Sequence, residues 1–104
     1  MEISISSRNL ELSDSLVSTT LAKVGRLGRL NGSFRRAVVH FYEERNPRIA
    51  DRDVCEIVLD GNGRQVHCKV AAPDGHAAVD KAVAKLEHQL HKLKTQTLIR
   101  THGG

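Results

Sequence analysis

Aromatic side chains are scarce in this sequence: Phe34, Phe41 and Tyr42 are the whole complement, and tryptophan is absent. Single-stranded nucleic acids are commonly held on stacked aromatic rings, so a platform of that kind is hard to assemble here. Cysteine is sparse too. Cys55 and Cys68 stand alone, and the six histidines fall into no C-x-x-C or H-x-x-x-H ligand set. His67 and Cys68 are neighbours on a predicted strand and point to opposite faces, which argues against a shared metal, so neither a metal nor a cofactor is expected. No apolar run approaches the ~20 residues that span a bilayer, and Met1-Glu2-Ile3-Ser4 lacks the basic-then-apolar start of a signal peptide. A cytoplasmic protein without a membrane partner is the expectation. The sequence also has no G-x-S-x-G, no phosphate loop and no catalytic cysteine signature. Gly61-Asn62-Gly63 joins two predicted strands and opens no helix, so it lacks the amides of a phosphate cradle, and Glu43 and Glu44 read as solvated carboxylates. An enzyme with a small-molecule substrate is therefore not expected.

What remains is a chain of 104 residues, enough for one domain with a modest core. Ile3 and Ile5 alternate with Glu2, Ser4 and Ser6 as in a half-buried strand that ends at Arg8-Asn9. Ser13-Asp14 supplies an N-cap, and Leu16, Val17, Leu21, Val24 and Leu27 recur at helical spacing up to Asn31-Gly32. Gly25 and Gly28 weaken that helix and suggest close approach of another backbone. Residues 35–44 alternate Val39 and Phe41 against His40 and Tyr42. An exposed, arginine-rich loop over 45–52 follows.

Residues 53–72 read as a hairpin around Gly61-Asn62, which pairs Val66 with Ile57 and Cys68 with Cys55. Cys55, Ile57, Leu59, Val66, Cys68 and Val70 then share the core face, and buried, reduced thiols are expected. Asp74 caps a last helix from about Gly75 to Leu93, leaving 95–104 as a flexible tail and 2–94 as the domain. Both helices have one apolar face, so the simplest packing is α+β: a β-α-β-β-β-α two-layer sandwich, with a four-stranded sheet and two helices on one face.

Formal net charge is +4 and the sequence pI is near 9.4, which suits a polyanion without demanding one. The pattern of the charge is more specific than its sum. Lys81, Lys85, His88 and Lys92 fall within a narrow arc of the last helix, opposite Val79, Leu86, Leu90 and Leu93. On the first helix Arg26 and Arg29 oppose the apolar face, with Lys23 near its boundary. Side by side, the two helices would join these cations into one surface that binds phosphates without reading sequence. His88 gives the stripe a titratable member, so affinity is expected to rise as pH falls toward about 6.

The last helix also resembles a known family. Asp74, Ala77-Ala78-Val79-Asp80, Lys85-Leu86, Gln89-Leu90, Lys92 and Lys94 are similar to a pattern of the ribosome hibernation-promoting factors and ribosome-associated inhibitors. Arg8-Asn9 followed by Leu10, Leu12 and Ser13, and Ala22-Lys23 with Leu27, extend the resemblance over almost the whole chain. His76 departs from it, standing where relatives often have tyrosine or phenylalanine. The resemblance implies a fold like that of double-stranded RNA-binding domains. It implies binding to the small ribosomal subunit and its rRNA, in the channel for messenger and transfer RNA, with translation blocked and idle ribosomes preserved in stationary phase or stress. The family's basic helices map the RNA-binding residues onto Lys23, Arg26, Arg29, Lys81, Lys85, His88 and Lys92, with Arg8 and Lys94 outlying. Longer relatives carry a C-terminal domain that pairs ribosomes; the resemblance fits a short member of the family or the N-terminal domain of a longer one, and without the second domain a monomer occupying single ribosomes is expected.

Three other readings compete. A general binder of structured RNA outside the ribosome would use the same cations. A small enzyme would need a cleft that sequence does not reveal. The stripe would be solubilising only if the partner instead met the open sheet face, where Glu56, His67 and Lys69 mix charges.

Overall fold

A computed structural model describes residues 1–30, 32, 34–46, 48 and 50–103, with side chains as far as residue 92. The chain runs β1 (Glu2–Arg8), α1 (Asp14–Leu30), β2 (Arg36–Glu43), β3 (Asp53–Gly61), β4 (Arg64–Ala72) and α2 (Gly75–Gly103). The strands form one sheet in the order β1-β2-β3-β4, with β1 parallel to β2 and the other pairs antiparallel. Parallel neighbours need a crossover, and α1 supplies it.

Local chemistry marks the ends of the elements. Asn9 stops β1 in the left-handed region at φ 59°, a conformation asparagine tolerates better than most residues. The Ser13 hydroxyl accepts the Leu16 amide at 3.1 Å, and the Asp74 carboxylate accepts the Ala77 amide at 2.8 Å. Each cap satisfies an amide that its helix leaves unpaired.

One face of the sheet carries the core. Val39, Phe41, Cys55, Ile57, Leu59 and Cys68 meet Leu16, Val24 and Leu27 of α1 and Val79, Ala82, Val83, Leu86 and Leu90 of α2, all buried. Burying each of the larger of these side chains contributes roughly 1.5–3 kcal/mol. Both helices thus lie on one side, and the two-layer β-α-β-β-β-α architecture is the one the apolar patterns require.

The hairpin differs from expectation by one step at its turn. Asn62 and Gly63, at φ 53° and 76°, form the two-residue connection, so Gly61 pairs with Arg64. Asn-Gly suits a turn that needs positive φ at both positions, and it draws the turn one residue along from Gly61-Asn62. Cys68 therefore faces Ile57, Val66 faces Leu59 and Cys55 faces Val70. Each partner moves by two residues, so every side chain keeps its face.

Three further expectations are corrected. Leu21, assigned to the apolar face of α1, is 45% exposed, and Thr20 is fully buried instead. The Thr20 hydroxyl satisfies itself on the Leu16 carbonyl at 2.7 Å, which lets a polar residue occupy a core position. No backbone approaches Gly25 or Gly28: a β-carbon at Gly25 meets nothing within 4 Å, and one at Gly28 meets only the Met1 side chain. The backbone of α2 continues beyond Leu93 to Gly103, through residues expected as a tail. That stretch holds no glycine or proline before Gly103 to break a helix.

Both cysteines are free and buried. Burial, followed by the nearby Cys68, pushes the Cys55 thiol up to about 12. Burial likewise raises Cys68, whose sulfur donates to the Ala82 carbonyl at 3.6 Å. Two outcomes are expected from this architecture. Gly25→Ala stabilises the protein by about 0.5–1 kcal/mol, because the helix gains propensity without a clash, whereas Gly63→Ala destabilises it by about 1 kcal/mol or more at its positive φ. Thermal melts of the two variants should shift in opposite directions. Iodoacetamide should leave both thiols of the native protein essentially unmodified over hours at pH 8 and alkylate both in denaturant, since the reactive thiolate is suppressed. Fast labelling of the native protein would contradict the burial.

Candidate functional site

The basic residues of the helix layer are placed by the same packing that builds the core. Because Val79, Leu86 and Leu90 face the sheet, Lys81, Lys85, His88 and Lys92 are left on the outer side of α2, and all four are exposed. Arg26 and Arg29 of α1 are exposed as well. Arg29 lies in the last turn of α1, where a cation suits the negative end of the helix dipole.

The seam between the helices is not purely basic. Lys23 forms an ion pair with Asp80 across it, and Ser15 and His76 share a hydrogen bond of 3.2 Å nearby. Hydrogen bonding from Lys23, then its charge, with a smaller contribution from Arg26, holds the Asp80 carboxyl below the usual range. Glu87, seven residues on, lies on the same side of α2 as Asp80. Lys81 turns the opposite way, and its ammonium donates to the Ala71 carbonyl of β4 at 3.1 Å. Among the described residues, Lys85 and Lys92 have no ion-pair partner, so they keep their charge uncompensated.

The nine residues marked out by sequence therefore divide. Lys85, His88 and Lys92 form a free basic ridge, Arg26 and Arg29 a second one, while Lys23 is engaged with Asp80 of the other helix and Lys81 with the sheet. Arg8 belongs to neither ridge. Ile3 and Ile5 of β1 pack on the core, so Ser6 and Arg8 lie on the opposite, open face of the sheet. The side chain of Lys94 lies outside the described residues.

On that open face the structure assembles a cluster that residue spacing alone does not single out. His40 and Tyr42 are neighbours on β2 with ring centroids 5.9 Å apart. The Ser6 hydroxyl and His40 Nδ1 are 2.8 Å apart. Arg8 and Lys69 sit 5.7 and 5.5 Å from the Tyr42 centroid, within cation–π range. Hydrogen bonding to Tyr42 raises the Lys69 ammonium above its ordinary value. Glu56 and His67 pair at 2.8 Å. The alternation along β2 already places His40 and Tyr42 on one face; the cations come from β1 and β4, and only the sheet order brings them in.

Among the described residues no group of three or more His, Cys, Asp or Glu side chains is arranged to hold a metal ion. What the helix layer offers chemically is fixed positive charge on rigid elements, which binds phosphate oxygens with strong salt dependence. The Lys23–Asp80 tie has a definite pH signature. Asp80 titrates lower in the folded state, so its contribution is complete above the unfolded carboxyl value of about 3.9 and is lost as pH falls through the depressed folded value. The melting difference between wild type and Lys23→Met should be constant from pH 5 to 8 and disappear in strong acid.

Comparison with known proteins gives this arrangement a lineage. The family described as Sigma 54 modulation protein / S30EA ribosomal protein matches residues 3–97. A ribosome hibernation promoting factor from Klebsiella oxytoca is 27% identical over 94 residues, covering 90% of this chain and 94% of that protein. The crystal structure of the N-terminal domain of Thermus thermophilus Protein Y is 30% identical with a TM-score of 0.74, covering 89% of this chain and 99% of that one. A ribosomal subunit interface protein from Coxiella burnetii shares the fold with a TM-score of 0.79 at 20% identity, over 91% of this chain and 99% of that one. The helix pattern, the sheet order and a family match along nearly the whole sequence agree, and the chain belongs to the Sigma 54 modulation protein / S30EA ribosomal protein family.

Proposed function

We propose that this protein is a ribosome hibernation factor. It binds the small ribosomal subunit in the channel for messenger and transfer RNA, inhibits translation and preserves idle ribosomes under stress or in stationary phase. It acts in the cytoplasm as a monomer on single ribosomes and catalyses no reaction. The observation that carries the reading is the exposed basic ridge of Lys85, His88 and Lys92, backed by Arg26 and Arg29 on the adjacent helix. Uncompensated cations on rigid helices suit the folded, phosphate-dense surface of ribosomal RNA better than a flexible or neutral partner. Family membership and the Klebsiella relative support the choice of the ribosome over other structured RNA.

The ridge makes a direct prediction. Lys85→Glu/Lys92→Glu should abolish co-sedimentation with small subunits in sucrose gradients at physiological salt, while circular dichroism and melting temperature stay near wild type. Wild-type binding should weaken about tenfold or more between 50 and 200 mM salt. Undiminished binding by the folded variant would remove the ridge from the interface. Competition by unrelated duplex RNA, as strong as by ribosomes, would favour a general RNA binder instead.

A further inference from the structure

The open face of the sheet has a composition that solubility does not explain. Along β2, His40 and Tyr42 present adjacent rings at an interplanar angle of 35°. His40 is fixed by Ser6, and both rings sit on backbone hydrogen-bonded to strands on either side. Arg8 lies directly across from Tyr42 on β1, and Lys69 reaches the same ring from the β4 side. The ring is therefore flanked by a cation to each side. Glu56, the carboxylate opposite His40, pairs with His67 and is also the register partner of Lys69, whose charge it offsets in part.

The connection that leaves β2 just beyond Tyr42 brings charged residues of both signs to the same end. Arg45, Arg48 and Arg52 are exposed there, and the Glu44 amide donates to the Arg52 carbonyl at 2.7 Å to close the base of the loop. Glu43, Glu44 and Asp51 share that end, so its three arginines are matched by three carboxylates and the loop adds no net charge.

We propose that this face is a second RNA-binding surface, which takes a single-stranded RNA segment with bases against His40 and Tyr42 and phosphates on Arg8 and Lys69. Stacked aromatic rings on a central strand, bordered by cations, are the general physical solution for holding unpaired bases and their backbone together. A duplex hides its base faces and gains nothing from the rings. An acidic peptide would use the cations and leave the rings idle, so the pairing of the two features selects RNA. The inference rests on the ribosome reading only for the source of the strand.

The test compares two variants of equal charge. Arg8→Gln/Lys69→Gln and Lys85→Gln/Lys92→Gln each remove two cations, one pair from the sheet and one from the helix ridge. With fluorescein-labelled hexauridylate, anisotropy should show about a tenfold loss for the sheet variant and a loss at least about threefold smaller for the ridge variant, whose cations offer the strand phosphate contacts but no rings. Tyr42→Phe, which keeps the ring, should stay within about threefold of wild type. Both Gln variants lie on the surface, and circular dichroism confirms their folding. Equal losses in the two charge-matched variants, an unaffected sheet variant, absence of wild-type binding, or displacement of the RNA by oligoglutamate as readily as by unlabelled hexauridylate would each overturn the proposal. Sedimentation of the same proteins with ribosomes reads the functional proposal separately. Failure there, with the hexauridylate pattern intact, would sink the ribosome assignment and leave the sheet site standing.

Discussion

Burial of one sheet face beneath two helices is the constraint from which the other features follow. Phe41, Ile57 and Leu59 on the strands and Leu27, Val79 and Leu86 on the helices are fully buried, and this single apolar layer must outweigh the conformational entropy of a chain of 104 residues. It fixes the rotation of each helix about its own axis. Once Val79 and Leu86 face inward, Lys85 and Lys92 have nowhere to go but outward, and their separation is set by helical geometry rather than by flexible side-chain choice. The position of the basic ridge on α2 is thus a by-product of core packing.

The charges then sort themselves by what the two layers leave within reach. Lys23 finds Asp80 across the seam, and Lys81 finds the Ala71 carbonyl at the edge of the sheet. These contacts orient the helices against each other and against β4 more than they stabilise, since solvent screens an ion pair this exposed. Among the described residues Lys85 and Lys92 have no such contact, so a phosphate that reaches them displaces water and counterions and breaks no internal bond. The division between engaged and free lysines is structural information that a count of net charge does not contain.

Much of this was legible in the residues. Period-two alternation in β1 and β2, the caps at Ser13 and Asp74, and the apolar stripe of α2 specify the elements and which faces they bury, and those features gave the two-layer fold. The misreadings have local causes. Gly61-Asn62-Gly63 offers two overlapping turns, and the one taken puts Asn-Gly, the pair that best tolerates positive φ at both positions, at its centre. Thr20 and Leu21 lie one helical step apart, and the direction of the partner surface decides which is buried. Contacts between elements were the least legible. Lys23 with Asp80, and Arg8 with Tyr42 and Lys69, join residues far apart in the chain, and helix spacing cannot show that Asp80 intrudes between two sets of cations.

The positions of the two basic surfaces constrain the shape of any partner that uses both. The ridge of α2 lies above the helix layer and the His40–Tyr42 cluster below the sheet, separated by the thickness of the core. A flat partner can touch one or the other. Simultaneous contact requires a partner that folds around the domain, as the walls of a cleft do, and binding energy from the two sides then combines on one rigid body without a linker to order. The proposed channel lined by RNA would satisfy that geometry, with folded rRNA facing the helices and an unpaired strand lying along the sheet. An isolated duplex satisfies only half of it. Binding on both proposed surfaces would therefore favour an enclosed, RNA-lined site over an open RNA surface, because the two-layer packing sets them on opposite sides of one rigid domain.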